Sequence, residues 1–383
     1  MFGFPNGLEH LYWGNLVMFL LGGCLLYLGI GKKLEPLLLV PIGFGVILAN
    51  LPLGGLEVTA TMRSDKVFSH GELMQRVFTF GIGWEIIPCF IFLGLGALTE
   101  FGPMIANPKS LVLGAGAQFG VYFTFFVALF FGWAGIFPFD IKEACSIGII
   151  GGADGPTTIY LTTILAPHIL GSTAVAAYSY MALVPIIQPR IIKLLTTKKE
   201  RAIYMKPTLR QVSNRERVLF PIICTIIVIL LVPKSAPLIG MLMFGNLLRV
   251  CGVTDRLANT ASESFIDILT IFLGLSVGCT MYAKNFLRLE SIFIFLLGLT
   301  AFAASTAFGI ILAKIMNLFL KEKINPMIGA AGVSAVPMAS RVVQIMGQKE
   351  NPKNYLLMHA MGPNIAGVIG TAIAAGIFLG MMG

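Results

Sequence analysis

The sequence predicts an all-α polytopic membrane protein, and three observations support this fold class. Of 383 residues, 56% are hydrophobic and 12% are charged, whereas a soluble domain carries about 25% charged residues. The mean hydropathy is +0.86. Many apolar runs reach the roughly 20 residues that a helix needs to cross a hydrocarbon layer of about 30 Å. We expect twelve apolar segments, at 11–31, 34–53, 78–101, 109–136, 145–165, 172–195, 218–232, 236–252, 264–282, 289–316, 325–346 and 355–382.

A basic stretch divides these segments into two groups of six. Residues 198–217, KKERAIYMKPTLRQVSNRER, hold seven basic residues against Glu200 and Glu216. Short loops rich in Lys and Arg stay in the cytoplasm, so this stretch is expected to be a cytoplasmic linker between 1–197, a first membrane repeat with its leading helix, and 218–383, a second repeat. The loop faces lipid headgroups or docks an acidic soluble partner. Nucleic acid is not expected, because stacking aromatics do not alternate with the basic residues.

The two halves resemble each other when one is shifted by about 180 residues. Three pairs of stretches match at or near this offset: Ile147 to Pro156 with Ile328 to Pro337, IFLGL at 91–95 with the same letters at 271–275, and a looser pair starting at Tyr178 and Tyr355. Paired segments interrupted by Gly and Pro are typical of inverted-repeat transporters, whose ion site lies at the membrane midplane. We therefore expect two inverted repeats whose interrupted or re-entrant helices meet at such a site, although the small loops leave the orientation open.

The first interrupted segment, GIIGGADGPTTIY at 148–160, places Asp154 among four glycines and a proline. Gly and Pro weaken a helix and leave backbone groups unpaired, which lipid cannot satisfy. A charge near a bilayer centre costs about 3 to more than 10 kcal/mol, so it normally has a partner or a task. Asp154 is thus the first candidate ion ligand, with helix capping as the alternative. Thr157 and Thr158 are either further ligands or hydroxyls bonded within the helix.

The second interrupted segment and the last segment add neutral oxygens and one cation. The candidates are Asn325, Ser334, Ser340, Arg341 and Asn364. Arg341 stays charged, so it pairs, reaches an interface or binds an anion in two parallel hydrogen bonds. Asn364 is a ligand or forms a bond between helices. One carboxylate with amide, hydroxyl and carbonyl oxygens suits a hard monovalent cation, and soft metals are disfavoured because no histidine is spaced to join the cysteines.

Three other acids lie in or near apolar segments. Glu263 and Asp267 are four residues apart near a segment start, where the helix dipole favours negative charge. Glu85 has no polar neighbour in sequence, and no role is assigned to it.

Four stretches carry a resemblance to a known family: GGADGPTTIY at 151–160, GNLLRVCGVTDRLANTA at 245–261, NPMIGAAGVSAVPMASRVVQ at 325–344 and HAMGPNIAGV at 359–368. Together they resemble the beta subunit of the sodium-pumping biotin-dependent decarboxylases of oxaloacetate, methylmalonyl-CoA, malonate and glutaconyl-CoA. The resemblance covers nearly the whole chain. It implies a subunit of a bacterial cytoplasmic membrane that releases carbon dioxide from carboxybiotin and exports Na⁺.

The same resemblance implies partners and residue roles. Carboxybiotin would arrive on a biotin-carrier subunit loaded by a carboxyltransferase, and the membrane part would be a homo-oligomer with a single-span gamma subunit. Asp154 would bind Na⁺ and exchange protons, Arg341 and Tyr180 would be catalytic, and Arg341 and Asn325 would contact substrate. The predicted sodium ligands are Asp154, Thr157, Asn325, Gly329, Ser334 and Asn364, of which Thr157 is added from its position alone. The alternative function is a sodium-coupled transporter of a small organic anion.

Overall fold

The computed structural model describes residues 7–60, 72–206 and 210–382, and all regular structure in these ranges is helical. The described residues of the first half form ten α-helices: α1 Trp13–Leu26, α2 Pro36–Ala49, α3 Leu73–Phe78, α4 Ile86–Leu98, α5 Gly102–Ala106, α6 Lys109–Trp133, α7 Ile141–Gly148, α8 Gly155–Leu165, α9 Leu170–Leu195 and α10 Lys198–Arg201. Those of the second half, within 210–382, form nine: α11 Asn214–Leu231, α12 Ala236–Val250, α13 Asp255–Thr260, α14 Ile266–Thr280, α15 Ala283–Phe286, α16 Leu289–Phe319, α17 Met327–Ala330, α18 Met338–Glu350 and α19 Leu357–Met382.

Six helical stretches of the described chain are long and apolar enough to cross a membrane: Trp13–Gly31, Lys109–Trp133, Pro167–Leu195, Asp255–Thr280, Leu289–Phe319 and Leu357–Met382. A seventh is bent by 58° between Leu73–Gly83 and Ile86–Leu98. The predicted all-α polytopic membrane class is therefore confirmed. Several of the twelve expected segments are shorter or broken, because apolar composition alone does not make a helix continuous.

The two interrupted segments are broken where Gly and Pro predict it. After α7 the chain makes one 3₁₀ turn, Ile149–Gly152, and Ala153 takes a left-handed conformation with φ 55°. Helix α8 then starts at Gly155 with Pro156 in its first turn, where the missing proline N–H costs nothing. In the second half α17 has only four residues, and irregular chain leads from Ala331 to α18.

Two close helix crossings hold the flanking helices together. A Cβ on Gly96 of α4 would lie 1.9 Å from a carbonyl oxygen of α12, and a Cβ on Gly245 of α12 would lie 1.9 Å from one of α4. Gly45 of α2 and Gly278 of α14 meet the facing helix in the same way, at 2.7 and 2.3 Å. Small residues let membrane helices approach to backbone contact, so these pairs make a rigid frame beside the interrupted segments.

The long helices α6 and α16 run antiparallel through the centre. The Phe119 ring lies 6.2 Å from that of Phe308, and the Phe131 ring lies 6.4 Å from that of Phe293. Helices α9 and α19 pack beside them, around one large apolar core.

The basic linker packs against the ends of α9, α16 and α18. Lys314 Nζ donates to Leu195 O at 3.0 Å and lies 3.0 Å from a Glu200 oxygen. The largely buried Arg201 guanidinium forms an ion pair with Glu350 at 2.7 Å. The linker therefore marks one end of the bundle.

Candidate functional site

The two interrupted segments touch each other inside the bundle. Ser334 donates its backbone N–H to Gly152 O at 2.8 Å, and Asn364 donates its side-chain amide to Val333 O at 2.5 Å. These contacts bring the residues just before Asp154 next to Ser334. The site is thus built from irregular backbone of both halves.

Asp154 caps α8 with only one of its two carboxylate oxygens. Oδ1 accepts from Thr157 N at 3.3 Å, and Thr158 Oγ1 donates to the Asp154 carbonyl at 2.8 Å. Oδ2 is buried and has no hydrogen-bond partner among the described residues. The capping alternative is therefore realised, Thr158 is bonded within the helix, and one carboxylate oxygen stays free for a ligand.

Two hydroxyl groups near Asp154 are also unpaired. Thr157 Oγ1 and Tyr178 Oη are buried without a partner in the part of the chain that the structure covers. The Tyr178 ring lies against Gly155, the residue after Asp154, where a Cβ would be only 2.1 Å from the ring and 2.7 Å from the hydroxyl oxygen. Buried polar groups are rarely left without a partner, so three such oxygens together indicate a site for a hard cation or a proton.

Tyr180, the tyrosine singled out from the sequence, lies on another face of α9. Its hydroxyl donates to Phe295 O, and its ring packs against Gly298 of α16. Residues two apart on a helix do not face the same way, which is why Tyr178 reaches Asp154 and Tyr180 does not. The sequence analysis missed Tyr178, since nothing in the letters YSY tells which tyrosine faces the site.

Ser334 leads into a chain of polar side chains. Its hydroxyl lies 2.6 Å from Thr371 Oγ1, which also contacts Gln118 Oε1 at 3.2 Å. Gln118 Nε2 in turn donates to Gly367 O at 3.2 Å. The sequence analysis missed Gln118 and Thr371, although a glutamine within an apolar helix is unusual enough to be noticed.

Asn364 and Gly329 hold the second interrupted segment in place through contacts with neighbouring backbone. Asn364 is fully buried, and besides holding Val333 it accepts from Ser340 Oγ at 2.9 Å. Gly329 lies against Gly309 of α16, where a Cβ on Gly329 would be 2.1 Å from the Gly309 carbonyl oxygen. Both residues fix the backbone that carries Ser334.

Asn325 is not brought together with Asp154. Its amide donates to the linker carbonyls of Arg201 at 2.8 Å and Ile203 at 3.0 Å, and its Oδ1 accepts from Met327 N at 3.1 Å. Asn325 thus ties the linker to the start of the second interrupted segment.

A cavity of about 390 Å³ reaches Asp154. Its lining includes Asp154, Tyr178 and Ser334 together with Glu35 and Thr99. The residue after Thr99, Glu100, lies 3.9 Å from Arg217 of the linker. The cavity therefore extends from the buried carboxylate toward the end of the bundle that bears the linker.

Charged residues lie along this cavity. Asp267 is exposed and belongs to its lining. Arg341 is exposed in the first turn of α18, and its charge acts on the Glu35 carboxylate, which lines the cavity. Glu35 precedes Pro36 in a left-handed conformation with φ 37°, and the sequence analysis did not select it.

Two acids considered in the sequence analysis lie outside the lining of this cavity. Glu85 lies at the bend before α4, with φ 64°, and Glu263 is exposed on the neighbouring π-helical turn.

Comparison with known proteins decides the family. A profile of the family described as the Na⁺-transporting oxaloacetate decarboxylase beta subunit matches residues 14–382. The methylmalonyl-CoA decarboxylase beta subunit of Propionigenium modestum is 52% identical, over 99% of this chain and 97% of its own. The glutaconyl-CoA decarboxylase beta subunit of Acidaminococcus fermentans is 53% identical, over 99% and 96%, and the oxaloacetate decarboxylase beta chain of Haemophilus ducreyi is 49% identical, over 97% and 96%. The chain belongs to this family.

The resemblance recognised in the sequence is thereby confirmed. The beta subunit is an enzyme subunit of a sodium-translocating decarboxylase, a multi-pass membrane protein that works within a complex of several subunits.

Proposed function

We propose that this beta subunit releases carbon dioxide from carboxybiotin and couples the release to Na⁺ export with proton uptake, in a bacterial cytoplasmic membrane. The observation that carries the proposal is the free, buried Oδ2 of Asp154 in a cavity that extends toward the end of the bundle bearing the basic linker. A cytoplasmic carrier can reach that end of the bundle if the linker is inside. Membership of the family supports a biotin carrier, a carboxyltransferase and a gamma subunit as partners, and we propose a homo-oligomer.

In the proposed cycle, Na⁺ and a proton alternate on Asp154. A bound cation favours the charged carboxylate, whereas burial without a cation favours the protonated form. When the carbon–nitrogen bond of carboxybiotin breaks, carbon dioxide leaves and the ureido nitrogen takes a proton. Asp154 would give up that proton, become charged and accept Na⁺ from the cavity. Proton uptake from the other side would then release Na⁺ outward.

We propose Asp154, Thr157 and Ser334 as sodium ligands, because Asp154 and Ser334 line the cavity and Thr157 is bonded to the Asp154 carboxylate through its backbone N–H. We add Tyr178, whose unpaired hydroxyl faces the same region. Asn364 and Gly329 hold the loop that bears Ser334, and small backbone shifts would let them coordinate Na⁺ as well. Asn325 remains a prediction as a ligand for Na⁺ or substrate, because its bonds to the linker keep it away from Asp154.

Arg341 is proposed to hold the carboxylate of carboxybiotin. A guanidinium binds a carboxylate through two parallel hydrogen bonds, and this one is exposed beside the cavity. Glu35 would compete with the carboxylate of carboxybiotin for the Arg341 guanidinium, so the binding of carboxybiotin would release Glu35 from Arg341. Tyr180 is proposed to act as a positioning residue, through its bond between α9 and α16.

We also propose that the two halves are inverted repeats that place the site near the midplane. The order of elements supports this: α3 and α13 are each followed by a π-helical turn and then by a helix that crosses a partner through glycines. The corresponding helices α6 and α16 are antiparallel. Likewise α9 ends at the linker, whereas α19 begins there, with His359 Nε2 at 2.8 Å from Lys206 O.

The deciding experiment uses the whole complex in sealed vesicles. Given carboxybiotin, a pump releases carbon dioxide and builds a Na⁺ gradient. A sodium-coupled anion transporter, the alternative function, does neither. Vesicles that move Na⁺ only together with a dissolved organic anion would overturn the proposal.

A further inference from the structure

Three side chains far from the cavity form a compact cluster. His168 Nε2 lies 2.6 Å from Glu143 Oε1, and one ligand atom each of Glu143, His168 and Glu290 lie within 4.8 Å of one another. They come from three elements: the first turn of α7, the 3₁₀ turn Pro167–Ile169 and the first turn of α16.

The cluster lies at the end of the bundle opposite the linker. His168 lies two residues before the start of α9, whose 26 residues span about 39 Å before the linker begins. Glu290 is likewise at the start of α16, and the other end of that helix carries Lys314, which contacts Leu195. The cavity at Asp154 extends the other way, so this cluster is separate from the proposed sodium site.

We propose that Glu143, His168 and Glu290 bind a divalent transition-metal ion of the zinc class. Imidazole nitrogen and carboxylate oxygen are both zinc ligands, and three protein ligands with an open fourth position suit a zinc site, whereas Mg²⁺ and Ca²⁺ prefer oxygen ligands alone. Zinc ligands at about 2.0–2.1 Å from the metal are about 3.3 Å apart in a tetrahedron, so Glu143 and His168 must separate by somewhat under 1 Å. The His168 side chain is 50% exposed, which gives it that freedom and leaves an open side for water.

The backbone under the cluster is already fixed. Ser172 of α9 and Ser291 of α16 share a buried hydrogen bond of 2.7 Å, each within four residues of a cluster member. Two groups act on Glu290 as cations: His168, when it is protonated, and Arg288, whose Nε donates to Lys284 O at 3.4 Å. A histidine that binds a metal is neutral, so the two carboxylates then outweigh the single guanidinium, and a divalent cation would offset the remaining negative charge.

A bound metal would join the two halves. Helix α7 leads directly into the loop of Asp154, while α16 belongs to the second half. Bridging them at this end restrains any movement of the Asp154 loop against α16, so metal occupancy slows turnover. The binding of metal itself does not depend on the proposed function.

The test is zinc binding by the purified complete complex in detergent, stripped with a chelator and titrated with zinc chloride. We expect one high-affinity zinc per beta subunit by elemental analysis and calorimetry, and affinity weaker by more than about tenfold in His168→Gln and in Glu290→Gln. His10→Gln, at another exposed histidine, is the matched control and keeps wild-type binding.

Melting temperatures measured without zinc show whether each variant is folded. If His168→Gln or Glu290→Gln is not folded, Glu143→Gln is used in its place in the zinc titration. Zinc should raise the melting temperature of the wild type and of the control, but not that of the cluster variants. Absence of tight zinc binding in the wild type, or equal binding by folded cluster variants, would overturn the proposal. Asp154→Asn should bind zinc normally, so failure here is distinguishable from failure of the pump.

Discussion

Replacing Asp154 by Asn separates the structural role of this residue from its proposed ionic role. Asn is as good an N-cap as Asp, and its carbonyl oxygen can keep the bond from Thr157 N that Oδ1 makes at 3.3 Å. Its NH₂ group would take the place of Oδ2, where the unpaired oxygens of Thr157 and Tyr178 can accept from it. The fold should therefore be retained, with a free energy of unfolding within about 1 kcal/mol of wild type.

The ionic effect should be large. Hydrogen bonds and contacts to a charged group contribute about 1.5–3 kcal/mol, against about 1 kcal/mol for a neutral one. Replacing the charged contact by a neutral one should weaken Na⁺ binding by about 0.5–2 kcal/mol, which is about twofold to 30-fold in affinity at about 1.4 kcal/mol for each factor of ten. Proton exchange at this position is lost altogether, because an amide does not titrate, so Na⁺ export should be abolished.

The assay is Na⁺-dependent decarboxylation of carboxybiotin and Na⁺ uptake by vesicles containing the complex, with melting temperature as the folding control. Asp267→Asn is the matched charge control, since Asp267 is an exposed aspartate on the same cavity. We expect it to keep Na⁺ export. If Asp154→Asn is folded and exports Na⁺ with unchanged Na⁺ dependence, the assignment of Asp154 is refuted; if both variants lose activity equally, the overall charge of the cavity is responsible instead.

Three further tests, with five variants, concern the structure around Asp154 and the helix crossings. Tyr178→Phe should raise the Na⁺ concentration for half-maximal decarboxylation several-fold. Tyr180→Phe should leave that concentration unchanged and lower the melting temperature by the equivalent of about 1 kcal/mol. An equal increase of the Na⁺ concentration in both variants would contradict the placement of the two rings. Asn325→Ala leaves two linker carbonyls unpaired and should cost about 1–3 kcal/mol in thermal unfolding, and a changed Na⁺ dependence at intact stability would instead show that Asn325 is a ligand. Gly96→Ala should lower the free energy of unfolding by about 1–3 kcal/mol or more, because the added methyl group overpacks a helix crossing. Gly23→Ala should be neutral or stabilising, because a Cβ there meets nothing within 4 Å. Equal melting temperatures of the two variants would contradict the close crossing at Gly96.

The parts of the fold that could be predicted from sequence are those set by local chemistry. Composition predicts membrane helices, and Gly with Pro predicts where 148–156 and 329–337 break. Asp154 stands out because an acid in an apolar segment is expensive. The bent pair around Glu85 could not be foreseen in the same way, since the letters near it contain no second polar residue.

The remaining site residues depend on tertiary contacts. Asn325 and Asn364 are both buried amides in apolar segments, and nothing local distinguishes the one bonded to the linker from the one bonded beside Ser334. Tyr178 and Tyr180 differ by two positions on a helix, so their roles follow from which helices surround α9. Glu35 and Arg341 are about 300 residues apart in sequence, and only the folded chain brings the Arg341 charge close enough to act on the Glu35 carboxylate.

The two oxygens of the Asp154 carboxylate have different surroundings, which would allow one residue to serve both the fold and the proposed ion cycle. Its cap bond and the N-terminal dipole of α8 favour the charged form, whereas burial at 4% exposure favours the neutral form. These effects oppose each other, so a cation bound at Oδ2 would add to the effects that favour the charged form. Because Oδ1 holds the helix start in both forms, protonation at Oδ2 can change ion affinity without unfolding the loop, which an aspartate with both oxygens engaged in structure could not do.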